Sequence, residues 1–243
     1  MMPRPMIRCD SPNIDTRSGE IDILLMHYTG MTSALAAVER LCDPLARVSA
    51  HYVVDEAGQI YQLADESARC WHAGISHWRG LPDVNSRSIG IEIANPGHEH
   101  GYVPFPDAQM RSVIALSQAI LARWPIPARN VIGHSDIAPS RKEDPGELFD
   151  WARLAVAGIG LWPFGAVTDS SVMPLGRGDS GPAVLTLQQD LARYGWPCPA
   201  HGRFDAETEK TVVAFQRHFR QSPLNGRFDA QCRARLDALL ASC

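Results

Sequence analysis

Short apolar segments typical of buried β-strands alternate with helical segments along the first 160 residues of the chain. The segment Ile21–Met26 is apolar apart from Asp22 and contains β-branched residues, which predicts a buried strand ending at His27. A second short strand is predicted at Val131–Gly133, directly before His134. Strands that alternate with helices favour an α/β fold, in which a mixed central sheet is flanked by helices.

Further strands are predicted by alternation and by turn residues. In the segment Ser88–Ala94 every second residue is isoleucine, so one face is apolar while Glu92 lies on the other, between small residues. The segments His51–Val54 and Gln59–Leu63 flank the turn sequence DEAG and are predicted to form a hairpin.

Two helices are predicted to pack on this sheet. A long amphipathic helix follows Pro106, with Asp107 as its expected N-cap. A shorter helix is expected to begin near Thr32, and its predicted apolar stripe consists of Leu35, Val38 and Leu41.

The last third of the chain contains an internal repeat. The sequence GRFDA occurs at Gly202–Ala206 and again at Gly226–Ala230. Each copy precedes a predicted helix, for which Asp205 or Asp229 is the expected N-cap, and an earlier helix is expected to begin at Pro182. We therefore expect an independent three-helix domain, and a division of the chain into a catalytic domain (1–160), a Gly/Pro-rich linker (161–177) and this small domain (178–243).

Composition and charge exclude several classes of protein. The chain has 23 Lys and Arg against 27 Asp and Glu, so its net charge of −4 disfavours a nucleic-acid partner. The longest apolar run, Leu154–Val167, is too short to span a membrane and contains glycine and proline. No secretory leader is recognisable, and six scattered cysteines fit reduced thiols, so a cytoplasmic protein is expected. We also expect the protein to be a monomer.

Three residues at predicted strand ends or in loops are candidate metal ligands: His27, His134 and Asp144. Two histidines and one carboxylate are a ligand set that zinc prefers in proteins. Three protein ligands leave a fourth position open, which is the arrangement of catalytic zinc sites. The sequence therefore suggests one catalytic Zn²⁺ per chain.

Two further residues suit the chemistry of amide hydrolysis. Asp144 precedes Pro145, which favours an extended backbone that would place Lys142 and Asp144 on the same side. The Lys142 ammonium could then stabilise an oxyanion that develops on a polarised carbonyl. Glu92 is the candidate general base, which takes a proton from water and passes it to the leaving nitrogen.

An ordered series of motifs resembles the type-2 N-acetylmuramoyl-L-alanine amidases, which are zinc enzymes related to peptidoglycan recognition proteins. The resemblance runs from about Ile21 to Trp151, and the tail resembles the three-helix peptidoglycan-binding domain of wall hydrolases. The motifs are MHYTG at Met26–Gly30, SAHYVV at Ser49–Val54, WHAG at Trp71–Gly74, SIGIEI at Ser88–Ile93 after Asn85, GHSDIAP at Gly133–Pro139 and RKEDP at Arg141–Pro145.

The resemblance implies a function and a role for each motif residue. It implies cleavage of the amide between N-acetylmuramic acid, or its 1,6-anhydro form, and L-alanine of the stem peptide, in peptidoglycan turnover or recycling. It implies zinc ligation by the two histidines and Asp144, catalysis by Glu92 and assistance by Lys142. The substrate, peptidoglycan or a muropeptide fragment, is expected to contact Trp71, His72 and Asn85.

Two alternatives to an amidase remain open. One is a non-catalytic recognition protein that binds muropeptides in the same groove, although such proteins typically lack a metal ligand that this chain retains. The other is a protein in which zinc is purely structural and only holds the loops together. A wall-binding tail also suits a periplasmic or envelope-associated protein, which is the alternative to the cytoplasm.

Overall fold

The centre of the molecule is a six-stranded mixed sheet, seen in a computed structural model that describes residues 5–242. Its strand order is β1-β5-β4-β9-β3-β10, in which β4 and β5 pair antiparallel and every other pair is parallel. Two small antiparallel pairs, β2 with β6 and β7 with β8, lie outside it. The strands are β1 (Ile7–Arg8), β2 (Ile14–Thr16), β3 (Ile23–Tyr28), β4 (Tyr52–Val54), β5 (Ile60–Gln62), β6 (Ala68–Cys70), β7 (His77–Trp78), β8 (Leu81–Pro82), β9 (Ser88–Ile93) and β10 (Val131–Gly133).

Helices cover both faces of the sheet, so the predicted α/β class with flanking helices is confirmed. Short 3₁₀ turns at Val84–Ser86 and Ala128–Asn130 precede β9 and β10. The α-helices are α1 (Ala34–Cys42), α2 (Gly97–His100), α3 (Asp107–Arg123), α4 (His134–Ile137), α5 (Trp151–Val156), α6 (Pro182–Tyr194), α7 (Ala206–Phe219) and α8 (Ala230–Ala241).

The three central strands bring the candidate site together at one edge of the sheet. Strand β3 is parallel to both β9 and β10, and His27 pairs in register with Glu92. His134 follows β10 directly and is the first residue of α4. Because parallel strands end at the same edge, these side chains converge where open α/β sheets bind their ligands.

The two faces of β3 pack against different parts of the chain, since successive side chains of a strand point in opposite directions. Leu24 and Met26 belong to the cluster that contains the long helix α3. Ile23 and Leu25 belong to a cluster that continues into α6, α7 and α8. The apolar residues of the three helices thus share one core with the sheet, whereas the sequence led us to expect a domain that is independent of it.

A second set of contacts joins the C-terminal helices to the sheet domain. Trp78 is fully buried, and its ring lies 5.7 Å from that of Trp196 and 6.1 Å from that of Tyr194. The backbone N–H of Arg79 donates to the carbonyl of Gly195 at 2.9 Å. Segment 161–177 contains no helix or strand beyond a single bridge from Leu175.

Several predicted details hold and others need correction. The C-terminal N-caps are confirmed, because Asp205 accepts from the N–H of Thr208 and Asp229 from that of Cys232. In contrast, Asp107 is the first residue of α3, the N-cap position is occupied by Pro106, and no side chain makes a capping hydrogen bond there.

The first helix also departs from the prediction. It begins at Ala34 with Ser33 as its N-cap, and Leu35 is 61% exposed and so lies outside the apolar stripe.

The sequence also predicted reduced cysteines and no membrane-spanning segment. Five cysteines are free thiols in the described residues, namely Cys9, Cys42, Cys70, Cys198 and Cys232, and Cys243 lies outside them. Among residues 5–242, none of the helices combines the length and the apolar character needed to cross a bilayer.

Candidate metal centre and active site

Three buried side chains converge at the edge of the central sheet: His27, His134 and Asp144. Nδ1 of His27 lies 3.0 Å from Nδ1 of His134 and 2.9 Å from Oδ2 of Asp144. Nδ1 of His134 lies 3.0 Å from the same carboxylate oxygen. The three ligand atoms thus form a nearly equilateral triangle at the end of β3.

This triangle has the donor set and size that a tetrahedral zinc site requires. Zinc bonds of about 2.0–2.1 Å to nitrogen and oxygen give a ligand separation of roughly 3.3 Å, a few tenths of an ångström longer than the distances above. Oxygen-only ligand sets suit calcium and magnesium, whereas two imidazoles suit zinc and related transition metals. The residues therefore fit a zinc ion held by His27, His134 and Asp144.

The electrostatics of the triangle favour the protonation states that bind a metal. Burial, together with the neighbouring His134, lowers the pKa of His27 to about 4, so this imidazole is neutral at pH 7. Burial opposes the ionisation of Asp144, but the charge and hydrogen bonds of the two histidines hold its pKa well below the usual range. Neutral imidazole and ionised carboxylate are the forms that ligate metals.

The segment Trp71–Gly74 supports both histidine ligands from behind. Nε2 of His27 lies 3.1 Å from Nδ1 of His72, and Nε2 of His134 donates to the carbonyl of Ala73 at 3.1 Å. Each ligand histidine thus has a partner for its second nitrogen, which fixes the ring orientation and the tautomer. His72 borders the cavity but is only 9% exposed, so most of its surface faces the protein.

The two other residues expected at the substrate have different surroundings. Asn85 is buried and does not line the cavity: its Oδ1 accepts from the backbone N–H groups of His72 and Ala73, at 3.0 and 2.8 Å. Trp71 does line the cavity, and its Nε1 donates to Asp15 at 2.7 Å.

Glu92 presents a carboxylate beside the triangle. Oε2 is buried and has no hydrogen-bond partner among the described residues. Burial, reinforced by the negative charge of Asp144, raises the pKa of Glu92 well above its usual range, and Lys142 partly offsets this. A carboxyl group that can hold or release a proton beside a metal-ligand set suits general acid–base chemistry.

Lys142 belongs to a loop that contains neither a helix nor a strand, and Asp144 lies in a turn of that loop. Lys142 and Asp144 nevertheless line the same cavity, as the prediction required. The positive charge of Lys142 also acts to lower the pKa values of His27 and Glu92.

All of the site residues predicted from the sequence, except Asn85, border one cavity of about 600 Å³. Its lining also includes the apolar residues Met31, Ala37, Leu41 and Val48 and the guanidinium-bearing Arg40. Tyr28 and His98 line the cavity as well, and they begin a chain of polar groups that the sequence did not indicate. The hydroxyl of Tyr28 lies 3.0 Å from Nδ1 of His98, whose Nε2 lies 3.2 Å from Glu147. Because the nearest of these pairs is separated by 49 residues, no spacing rule could have found this chain.

Comparisons with known proteins agree with the geometry. Residues 17–147 match the N-acetylmuramoyl-L-alanine amidase family, and residues 180–236 match a family of peptidoglycan binding domains. N-acetylmuramoyl-L-alanine amidase AmiD of Escherichia coli strain K12 is 39% identical over 235 residues, which cover 90% of this chain and 82% of AmiD.

Two solved structures each resemble more than nine tenths of the chain. AmiD from E. coli, in complex with the substrate anhydro-N-acetylmuramic acid-L-Ala-D-gamma-Glu-L-Lys, has a TM-score of 0.78 at 35% identity, covering 96% of this chain and 90% of AmiD. AmpDh3 from Pseudomonas aeruginosa, in complex with anhydromuramic pentapeptide, has a TM-score of 0.74 at 29% identity, covering 91% and 92% of the two chains.

Proposed function

The chain belongs to the N-acetylmuramoyl-L-alanine amidase family, and we propose that it hydrolyses the amide between N-acetylmuramic acid, or its 1,6-anhydro form, and L-alanine of the stem peptide. The resemblance seen in the sequence is thereby confirmed. One observation carries the proposal: the triangle of His27, His134 and Asp144 shares a cavity of about 600 Å³ with Glu92, whose Oε2 has no hydrogen-bond partner among residues 5–242. The reaction belongs to peptidoglycan turnover or recycling.

We assign the zinc ligands as Nδ1 of His27, Nδ1 of His134 and Oδ2 of Asp144. When bound, zinc supplies Lewis-acid chemistry that polarises a carbonyl oxygen and makes water more acidic. The protein contributes the two imidazole nitrogens and the ionised carboxylate of Asp144 that would hold the ion.

Glu92 is the proton carrier in this proposal. Its carboxylate takes a proton from the attacking water, and the resulting acid delivers that proton to the leaving amide nitrogen. The raised pKa of Glu92 suits the delivery of the proton to the leaving nitrogen, because the protonated carboxyl group then persists long enough to donate it. Lys142 stabilises the negative charge that develops on the carbonyl oxygen.

We assign different tasks to the remaining residues of the predicted site. Trp71 borders the cavity and is proposed to contact the substrate. His72 is proposed to act chiefly on His27, and Asn85 to act only through the backbone of His72 and Ala73.

The C-terminal helices are proposed to bind glycan or peptide of the cell wall, in keeping with the family match at residues 180–236. We retain 1–160, 161–177 and 178–243 as the proposed catalytic domain, linker and binding domain. Phe204 and Phe228 of the repeat are each only 2% exposed, so they pack in the core and are not available as a sugar platform.

Mass spectrometry of parallel digests tests the activity. Zinc-loaded protein is incubated with intact sacculi and with 1,6-anhydro-muropeptides, and release of free stem peptide is expected from at least one of them. The matched control is Glu92→Gln, which should bind but not cleave. Binding of both substrates without release by the wild-type protein would favour the recognition alternative.

Two further expectations from the sequence have simple tests. Light scattering measures whether the chain is a monomer. Fractionation of the cells that produce it distinguishes the expected cytoplasmic location from the envelope alternative.

A further inference from the structure

A fully buried aspartate links the C-terminal helices to the metal-ligand turn. Asp136 lies in α4, two residues after His134, and is fully buried. Its Oδ2 accepts from the N–H of Gly133 and from Nδ1 of His218, both at 2.8 Å. Its Oδ1 accepts from Nε1 of Trp196 at 3.1 Å. Two of these three donors come from the C-terminal part of the chain.

The turn that Asp136 anchors carries one zinc ligand and contacts another. Helix α4 has only four residues and cannot be stable by itself, so its geometry depends on tertiary contacts. His134 begins this helix, and the next N–H, that of Ser135, donates to the carbonyl of Asp144 at 2.9 Å. The hydrogen bonds of Asp136 therefore set the backbone from which His134 projects, and that backbone in turn holds Asp144.

Helix α7 also holds the loop that contains Asp144. Nη2 of Arg217 lies 2.6 Å from Oε1 of Glu143, the residue between Lys142 and Asp144. Just beyond the helix, Nε2 of Gln221 donates to the carbonyl of Phe149 at 2.6 Å.

The ring of His218 makes a second contact besides its hydrogen bond. It stacks on Trp151 with a centroid distance of 3.8 Å and an interplanar angle of 24°. If Gly133 carried a Cβ, that atom would lie 2.7 Å from Pro145 and 3.3 Å from Trp151. The segments that carry His134 and Asp144 are therefore tightly packed against each other and against the ring of Trp151.

We propose that the C-terminal helices complete the metal site: His218 and Trp196 position His134 through Asp136, and Arg217 positions the loop of Asp144. This inference rests on the proposed zinc amidase function and adds a second role for the helices besides wall binding. The two donors are positioning residues, since neither lines the cavity. Loss of an outer partner of this kind typically weakens metal binding about 10–100-fold.

The test measures zinc affinity by competition with a chromophoric chelator, together with the visible spectrum of the cobalt(II)-substituted protein. His218→Phe keeps an aromatic ring against Trp151 but removes the donor to Asp136. We expect zinc to bind roughly 10–100-fold more weakly and the cobalt spectrum to change. His218→Asn, whose amide nitrogen can replace Nδ1, should recover most of the affinity.

A matched variant distinguishes the positioning role of His218 from a general loss of stability in the C-terminal helices. Leu239 is buried in α8, outside the hydrogen bonds described above. Leu239→Ala should lower the melting temperature of the metal-free protein and leave the zinc affinity unchanged. If His218→Phe does not fold, Trp196→Phe removes only the second donor and should weaken zinc binding in the same direction.

The outcomes distinguish this inference from the proposed function. Wild-type protein that binds no zinc would contradict the amidase proposal itself. Stoichiometric zinc in the wild type, with unchanged affinity in His218→Phe or in the folded Trp196→Phe, would overturn the positioning role alone. Equal losses in His218→Phe and Leu239→Ala would overturn it as well.

Discussion

Nε2 of the zinc-ligand candidate His27 lies 3.1 Å from Nδ1 of His72. In the tautomer that leaves Nδ1 of His27 free for a zinc ion, its Nε2 carries the proton and donates to Nδ1 of His72. Nε2 of His72 in turn faces the hydroxyl of Ser88 at 3.4 Å. His72 therefore fixes the tautomer in which His27 can bind zinc.

His72→Leu should weaken zinc binding, because Nε2 of His27 loses its acceptor and the ring can rotate. The expected loss is about 10–100-fold in affinity, measured by chelator competition. His72→Asn keeps an acceptor near the position of Nδ1 and should stay closer to the wild type. Equal affinity in the wild type and His72→Leu would show that His72 serves the substrate and not the metal.

Glu92→Gln should abolish most of the activity without releasing zinc. Glutamine has nearly the same shape but cannot accept a proton, and removal of a general base typically costs about 10²–10⁴ in kcat. Peptide release is measured with an anhydro-muropeptide, and zinc content by elemental analysis. The exposed Glu56 in the β4–β5 turn offers a control, since Glu56→Gln should leave both unchanged. A Glu92→Gln enzyme with more than a tenth of wild-type kcat would remove Glu92 from the mechanism.

The part of the site that lies on strands could be predicted because a simple rule governs it. His27, Glu92 and His134 each lie in or directly after an apolar strand, and parallel strands bring such positions to one edge. Asp144 lies in a turn, where no strand pattern points to it, so its assignment depended on its residue type, on the following Pro145 and on the family resemblance.

The contacts between the two halves of the chain could not be predicted. Asp136 and His218 are 82 residues apart, and nothing in a local pattern pairs one buried polar residue with another. The sequence of an amphipathic helix reveals its apolar face but not the element that packs against that face. We therefore expected α6, α7 and α8 to pack against one another. Strands β1 and β2 were missed because they have two and three residues, all exposed, and thus no periodicity.

Gly90 leaves room for the His72 ring, and its replacement should disturb the metal site. A Cβ at Gly90 would lie 2.6 Å from Nδ1 of His72, which is closer than side chains approach. Gly90→Ala should therefore lower the free energy of unfolding by about 1–3 kcal/mol and weaken zinc binding. Urea denaturation and chelator competition measure the two effects.

A double variant isolates the cause of this effect. Adding His72→Ala removes the ring that a Cβ at Gly90 would strike, so Gly90→Ala should cost much less stability in that background. Gly176→Ala is the matched control, because a Cβ there would meet Arg227 at an ordinary 3.7 Å. An equal cost of Gly90→Ala in both backgrounds would contradict the proposed collision.

The amidase part and the C-terminal helices should unfold in one transition, because one hydrophobic core joins them. Trp78 is fully buried between them, and its Nε1 donates to Asn130 at 3.0 Å. Trp78→Ala should destabilise the whole chain by about 3–5 kcal/mol. Calorimetry should show a single peak that moves to lower temperature, whereas two separate peaks would show that the helices fold independently.

Glu66 should make the stability of the protein depend on pH. Burial opposes its ionisation, but hydrogen bonds from Arg123, Trp124 and Tyr52 outweigh burial and lower its pKa. A carboxyl group whose pKa is lower in the folded state stabilises the protein above its unfolded pKa of about 4.3, and this contribution is lost as the pH falls through the folded value.

Glu66→Gln should therefore lower the free energy of unfolding at pH 7 by about 1.5–3 kcal/mol, the usual contribution of hydrogen bonds to a charged group. The gap between variant and wild type should begin to shrink as the pH falls below about 4.3, since the carboxylate of the unfolded chain then takes up a proton and that of the folded protein follows only at lower pH. Urea titrations at pH 7, 5 and 3.5 measure it, with the exposed Glu56→Gln as the control. A gap that stays constant across these three values would mean that the shape of the Glu66 side chain, and not its charge, holds Tyr52 and Arg123 in place.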